Sequence, residues 1–516
     1  MNKVKPQRLL HEGLELSAKL HPNKTALVVE GKPFTYSELH QMVTRLSDFI
    51  YSQGIRRGDR CAIYMDNTLA CVVSIYATLS VGAVFVIINP QTKKDKLHYI
   101  LNDCSASLLI SDTHLYSVFS GVIDDIPSLK CIIASGDDSI IQGTPVKHFD
   151  AAISEIVPNP PAAATIASDI SALIYTSGST GNPKGVIHTH LSMTFALNSI
   201  IEYLRLSVSD RILAVLPLAF DYGLYQLLMS IQLGATLILE RSFAYPAVIF
   251  KRMQEHEVTV FPGVPTIYSM LIAAHGRSAL EFPAITRVTN TAAALPSDYI
   301  IALKEIFPNA LIYKMYGQTE CKRICYLEPE LVDIKPTSVG KAIPGTEVFI
   351  LNTQGKPVKA GESGILYVRG PHVMLGYWNL NDATNKALVD GKLPREKILC
   401  THDWFKMDTD GDLYFLGRSD DIIKTRGEKV SPIEVENIIY AIKGIKEVAV
   451  IGVHDAVLGQ AVKCFVAFDN SNGLDLLQIK KHCAVNLENF MVPKYFEVVD
   501  ALPKTNTGKI DKKDLK

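Results

Sequence analysis

The sequence predicts an α/β fold: a large N-terminal domain of parallel-rich sheets covered by helices, then a small α+β C-terminal domain. Three observations predict it. Short strand patterns alternate with helical ones through most of the chain, as expected when helices cover a parallel sheet. The pattern changes near Gly417-Arg-Ser-Asp-Asp421. And 516 residues exceed what one hydrophobic core serves.

In chain order, the N-terminus Met1-Asn-Lys-Val-Lys-Pro runs into an amphipathic segment with no signal-peptide core. Asn67 to Thr92 carries no charge and raises the question of a membrane helix. Gly82 and Asn89-Pro90 interrupt it, so a buried helix followed by a buried strand over Ala83–Ile88 is expected, and no membrane span. The apolar run Ala172–Tyr175 reads as a strand. Next come a strand at Arg211–Leu218, a helix at Tyr222–Leu233, a strand at Thr236–Glu240, a helix at Ala244–His256 and strands at Val258–Phe261 and Leu311–Met315. The small unit reads as helix Pro432–Lys443, strands Val448–Val453 and Lys463–Phe468, helix Leu474–Val485 and strand Tyr495–Val499. The boundary falls at residues 418–421, separating residues 1–417 from 422–516.

A net charge of −1 gives no electrostatic case for nucleic acid or an anionic membrane as partner. The nine cysteines are scattered without a C-x-x-C pair, which fits reduced thiols in a cytoplasmic enzyme.

The most informative stretch is Tyr175-Thr-Ser-Gly-Ser-Thr-Gly-Asn-Pro-Lys-Gly185. Gly178, Gly181 and Gly185 let a backbone approach a ligand closely. Thr176, Ser177, Ser179 and Thr180 add hydroxyls, and Lys184 adds a point charge, a set suited to nucleotide phosphates. Gly185 follows Lys184, so this is not a Walker A loop. Tyr316-Gly-Gln-Thr-Glu320 offers an aromatic face for a purine, a hydroxyl for a phosphate and a carboxylate for Mg²⁺, or else a polar turn. Asp403 in Thr401-His-Asp can accept from vicinal hydroxyls, and Arg418 can add a second contact. Lys509 closes Leu502-Pro-Lys-Thr-Asn-Thr-Gly-Lys-Ile510.

In this order the motifs resemble the adenylate-forming superfamily of acyl-CoA synthetases, luciferases and peptide-synthetase adenylation domains, from about Tyr36-Ser-Glu-Leu to Lys509. The resemblance implies ATP and Mg²⁺, with residues 176–181 and Lys184 on the phosphates. It assigns Tyr316 to the adenine, Thr319 to the α-phosphate, Glu320 to the metal, and Asp403 and Arg418 to the ribose. Lys509 is implied to bridge the substrate carboxylate and the α-phosphate. Asp420 matches the hinge on which the small domain pivots, and Gly427 the wall of the thiol tunnel. His402 stands where the family has glycine.

The acyl pocket is implied at Phe220, Asp221, Val264, Asn290, Ala292, Met315 and Cys321, with Ala292 also counted to the nucleotide. Asp221 follows Phe220 as in amino-acid adenylating enzymes, where the carboxylate meets an ammonium. A buried charge is costly without a partner, and a cationic substrate would supply one. The alternative is that Asp221 caps a helix starting at Tyr222. The first expectation is therefore a stand-alone, L-prolyl-type ligase that loads the phosphopantetheine thiol of a carrier protein in trans. The alternative is an acyl-CoA synthetase using free CoA and an amine-free acid. Retention of Lys184, Glu320, Asp403 and Lys509 together speaks against a catalytically dead nucleotide-binding regulator, because pure binding would not need Lys509.

Overall fold

Parallel strands Thr25–Val29, Thr236–Leu239, Arg211–Ala214, Val260–Gly263, Arg287–Asn290 and Leu311–Tyr316 run side by side through the middle of a nine-stranded sheet. Antiparallel strands close both edges. The computed structural model describes residues 7–157, 164–176, 182–419, 421–425, 428–455, 458–468, 475–504 and 510–515. A second, eight-stranded sheet carries Arg60–Tyr64, Val84–Ile88 and Ile170–Thr176 in parallel, with Lys184–Thr189 returning antiparallel beside the last. The uncharged stretch is the expected pair, helix Leu69–Ser80 and strand Val84–Ile88, both almost wholly buried. Among the described residues no helix is long and apolar enough to cross a membrane.

Several sequence expectations shift. The strand expected over 211–218 ends at Ala214, because Pro217 cannot donate to a ladder and the chain turns there to receive the next helix. That helix begins at Asp221, one residue early, and the next begins at Pro246, at its favoured first-turn position. The strand expected at Val258 begins at Val260. Residues 347–418 depart most from βαβ alternation. Glu347–Leu351, Ser363–Arg369, Leu388–Asp390, Lys397–Met407 and Leu413–Arg418 form an antiparallel five-stranded sheet.

The C-terminal helices and strands close a core of their own. Helices Pro432–Tyr440 and Leu476–Asn486 cover strands Ile445–Asp455, Gly459–Phe468 and Tyr495–Val498, burying Val435, Ile439, Val450, Val462, Val466 and Ile479 together. Lys406 of the antiparallel sheet reaches Glu434 of the small unit at 2.9 Å.

Candidate active site

In parallel sheets ligands collect at the carboxyl ends of the strands, where loops and side chains converge. Here the strands ending at Ala214, Gly263, Asn290 and Tyr316 are neighbours. That adjacency brings Asp221, Val264, Asn290, Ala292 and the Tyr316–Arg323 loop to one edge, although they are scattered along the chain.

The Tyr316–Arg323 loop folds tightly. Ile324 donates its backbone N–H to the Tyr316 carbonyl at 2.9 Å, and Cys325 then pairs antiparallel with Tyr316. A Cβ on Gly317 would lie 2.1 Å from the Lys322 carbonyl oxygen, so only glycine fits. Lys322 itself sits at φ +66°, a strained conformation for a long side chain.

On one side of the loop, the Tyr316 ring packs against Phe405 and Phe415 at centroid distances of 4.9 and 5.6 Å. Its hydroxyl donates to Asp403 Oδ2 at 2.5 Å, and Gln318 Nε2 donates to the same oxygen at 2.8 Å. Asp403 is buried, and that burial raises its carboxyl pKa despite these donors. Arg418 pairs across the ladder from Asp403, its Nε 3.9 Å from Oδ1, with a side chain 70% exposed. His402 has φ +57°, so the backbone keeps the left-handed turn glycine would adopt freely. Its carbonyl accepts from Ser419 N at 2.8 Å and from Ser419 Oγ at 2.7 Å.

The phosphate-type residues adjoin this face. Thr176 ends one strand and pairs with Lys184 on the next. Gly185 lets that strand pass Tyr175 and Trp378, which a Cβ would meet at 3.0 and 3.3 Å. Lys184 Nζ stands 5.3 Å from the centre of the Tyr377 ring, and the Tyr377 hydroxyl donates to Glu320 Oε1 at 2.7 Å. One tyrosine thus holds a cation and a carboxylate on either side, a donor set that fits phosphate with a divalent ion. The Thr319 carbonyl accepts from His188 Nε2 at 2.8 Å. Burial holds His188 well below the ordinary histidine range, so it stays neutral. Ser177, Gly178, Ser179, Thr180, Gly181, Asp420, Gly427 and Lys509 lie outside the described residues.

The opposite side of the loop corrects the expectation for Asp221. Phe220 is the N-cap residue and makes no side-chain cap bond, so Asp221 does not cap the helix but sits in its first turn. A charge there still meets a favourable dipole. Nor does Asp221 await an ammonium, because Lys322 Nζ already pairs with its Oδ1 at 2.8 Å, and the Lys322 side chain is 0% exposed. Burial lowers the Lys322 pKa and Asp221 opposes that shift. Gly223 in the next turn seats this corner, since a Cβ would come within 2.3 Å of the Pro217 carbonyl oxygen.

Asn290 and Cys321 are buried, Met315 accepts a 2.9 Å contact from the Tyr203 hydroxyl, and Phe220 and Val264 are half-buried. Ala292 is exposed at φ +75°. Sequence reasoning missed Gln318, Tyr377, His188, Lys322 and Arg323. The readable signal was the Lys322-Arg323 pair, two cations set between Cys321 and Ile324-Cys325 in an otherwise apolar run.

Comparison with known proteins follows the same geometry. Residues 14–378 match the model of the AMP-binding enzyme family, and residues 434–509 that of the AMP-binding enzyme C-terminal domain. The chain belongs to the AMP-binding enzyme family. It is 31% identical to a feruloyl-CoA synthase of Amycolatopsis sp over 503 residues, covering 97% of this chain and 96% of that protein. The crystal structure of the anthranilate CoA ligase AuaEII in complex with anthranoyl-AMP superposes with a TM-score of 0.88 at 29% identity, covering 97% of this chain and 95% of that one. ATP-bound MatB from Rhodopseudomonas palustris superposes at 0.85 with 25% identity, covering 97% of this chain and 98% of that one. The protein is accordingly an ATP-binding, AMP-forming acid–thiol ligase with the two-domain α/β architecture of its family.

Proposed function

We propose that the protein activates a carboxylic acid bearing no ammonium group and transfers the acyl group to the thiol of free CoA. One observation carries this reading: the Asp221 carboxylate that an amino acid would have to engage is already spent on Lys322. The similarity to a feruloyl-CoA synthase and an anthranilate CoA ligase supports CoA over a carrier protein as acceptor.

In the first step a carboxylate oxygen bonds to the α-phosphorus of ATP as the bond to pyrophosphate breaks. In the second, sulfur bonds to the acyl carbon and AMP leaves. No side-chain nucleophile is required, so positioning and charge neutralisation do the work. Asp403, oriented by Tyr316 and Gln318, accepts from the ribose hydroxyls, with Arg418 beside it. Tyr316 borders the adenine, Thr319 the α-phosphate, and Thr176 and Lys184 with residues 177–181 the outer phosphates. Glu320 would hold Mg²⁺, which offsets charge on the departing pyrophosphate. Lys509 brings an ammonium to the two anions that must meet. The domains divide at residues 418–421, with Asp420 as pivot and Gly427 lining the thiol path.

The test is ATP–pyrophosphate exchange over aryl acids, fatty acids, proline and other amino acids, followed by thioester formation with CoA or a phosphopantetheinylated carrier. Exchange with ammonium-free acids and thioester on CoA is expected. Exchange confined to an amino acid, with transfer only to carrier, would overturn the reading.

A further inference from the structure

We infer that the acid activated here carries a second carboxylate, seated on Arg323 and distant from the carboxylate that is adenylated. The inference rests on the ligase reading above and names its substrate class. Arg323 is only 4% exposed. Its Nη1 donates to the Lys322 carbonyl at 3.1 Å, its Nε has no hydrogen-bond partner, and no carboxylate among the described residues pairs with it. A guanidinium cannot shed its charge, so one buried this deeply calls for an anion.

Nearby protein groups do not supply one. The guanidinium lies 5.0 Å from the centre of the Tyr222 ring, and Tyr203 and Tyr225 are within its electrostatic reach. Burial raises the hydroxyls of all three tyrosines above their ordinary range, so they stay neutral. The carboxylate in the same neighbourhood, Asp221, is taken by Lys322. The Lys322-Arg323 pair therefore brings two cations to one carboxylate.

Strand geometry places this charge on the acid side. Successive residues of a strand face opposite ways. Tyr316 faces Asp403, Phe405 and Phe415, whereas Met315 faces Tyr203, the side where Arg323 lies. The ribose and phosphate residues are thus on the other face from the guanidinium. The Tyr222 hydroxyl on this side is already held by the Thr289 carbonyl and Oγ1. A fork of guanidinium donors matches the two oxygens of a carboxylate.

The experiment compares dicarboxylic acids, aromatic and aliphatic, with their monoamides in CoA-dependent AMP release. The wild-type kcat/KM is expected to favour a diacid by about 30-fold or more, as for a charge-assisted bond lost from a buried site. Arg323→Gln is expected to collapse that ratio to within about threefold of unity, and Arg323→Lys to restore part of it. Equal use of diacid and monoamide by the wild type overturns the inference, as does an unaltered ratio in Arg323→Gln. If Arg323→Gln fails to fold, the wild-type ratio alone decides. Pyrophosphate exchange with monocarboxylic acids but no diacid overturns the inference and leaves the ligase reading standing. No exchange with any acid overturns both.

Discussion

The two faces of the Tyr316–Arg323 loop are built on opposite principles. On the face proposed for the nucleotide both carboxylates already have protein partners: Asp403 accepts from Tyr316 and Gln318, and Glu320 from Tyr377. On the acid face Lys322 and Asp221 neutralise one another, and Arg323 is left over. A face that meets the same nucleotide in every turnover can be rigid and satisfied beforehand. A face that selects the acid keeps a buried group whose partner arrives with the substrate. Pre-organisation and selectivity are thus divided between two sides of one short loop.

The largest expected effect is on stability at low pH, where loosening should separate the two faces. Burial holds His190 and His372 at about 4, and His188 well below its ordinary range. These groups are neutral in the folded chain while the unfolded chain takes up protons below about 6.5. Their stabilisation is therefore complete above that pH and is lost as pH falls toward 4. Each is expected to cost about 2 kcal/mol between pH 7.5 and 5. Thermal melting across that range measures it. Because His188 holds the Thr319 carbonyl, hydrogen exchange should show the nucleotide face loosening first. A pH-independent Tm would remove the account.

Next in size, Lys322→Met leaves the largely covered Asp221 unpaired, and should cost about 2–4 kcal/mol in chemical denaturation. Adding Asp221→Leu should recover most of it, because an apolar pair can replace a buried ion pair. Failure of the double variant to recover would show that Asp221 has another partner. Gly317→Ala forces a Cβ onto the Lys322 carbonyl and is expected to cost about 1–3 kcal/mol. Both faces hang on that turn, so KM for ATP and for the acid should rise together. A rise in only one would mean the faces are independent.

Asp403→Asn should raise KM for ATP by about 10- to 100-fold through loss of a charged acceptor, with the preference among acids unaltered. A changed acid preference would break the division between the faces. The smallest effect is expected from His402→Gly, which relieves a left-handed residue at φ +57° and should stabilise by about 1 kcal/mol. No gain in Tm would mean that the Ser419 bonds to the His402 carbonyl already offset the strain.

Much of the fold was legible because burial period and turn chemistry are local. The uncharged 67–92 stretch, the helix after Asp221 and the small α+β unit follow from apolar spacing and Gly or Pro punctuation. The antiparallel sheet of residues 347–418 was not, since its strand patterns say nothing about which neighbours they pair with. The motif residues Thr176, Lys184, Tyr316, Glu320 and Asp403 were visible as chemistry, but Tyr377, which links Lys184 to Glu320, carries no signature of its own.

The case of Asp221 marks the limit. The sequence determined that a carboxylate stands at a strand-to-helix corner, and that the chain carries the motifs of an adenylating ligase. It did not determine what that carboxylate meets. Only the tertiary structure decided that, because the partner depends on a loop from a distant strand turning back at Gly317 to aim Lys322 at Asp221. Local sequence sets which groups are charged; the meeting of strand ends sets which charges cancel and which one remains.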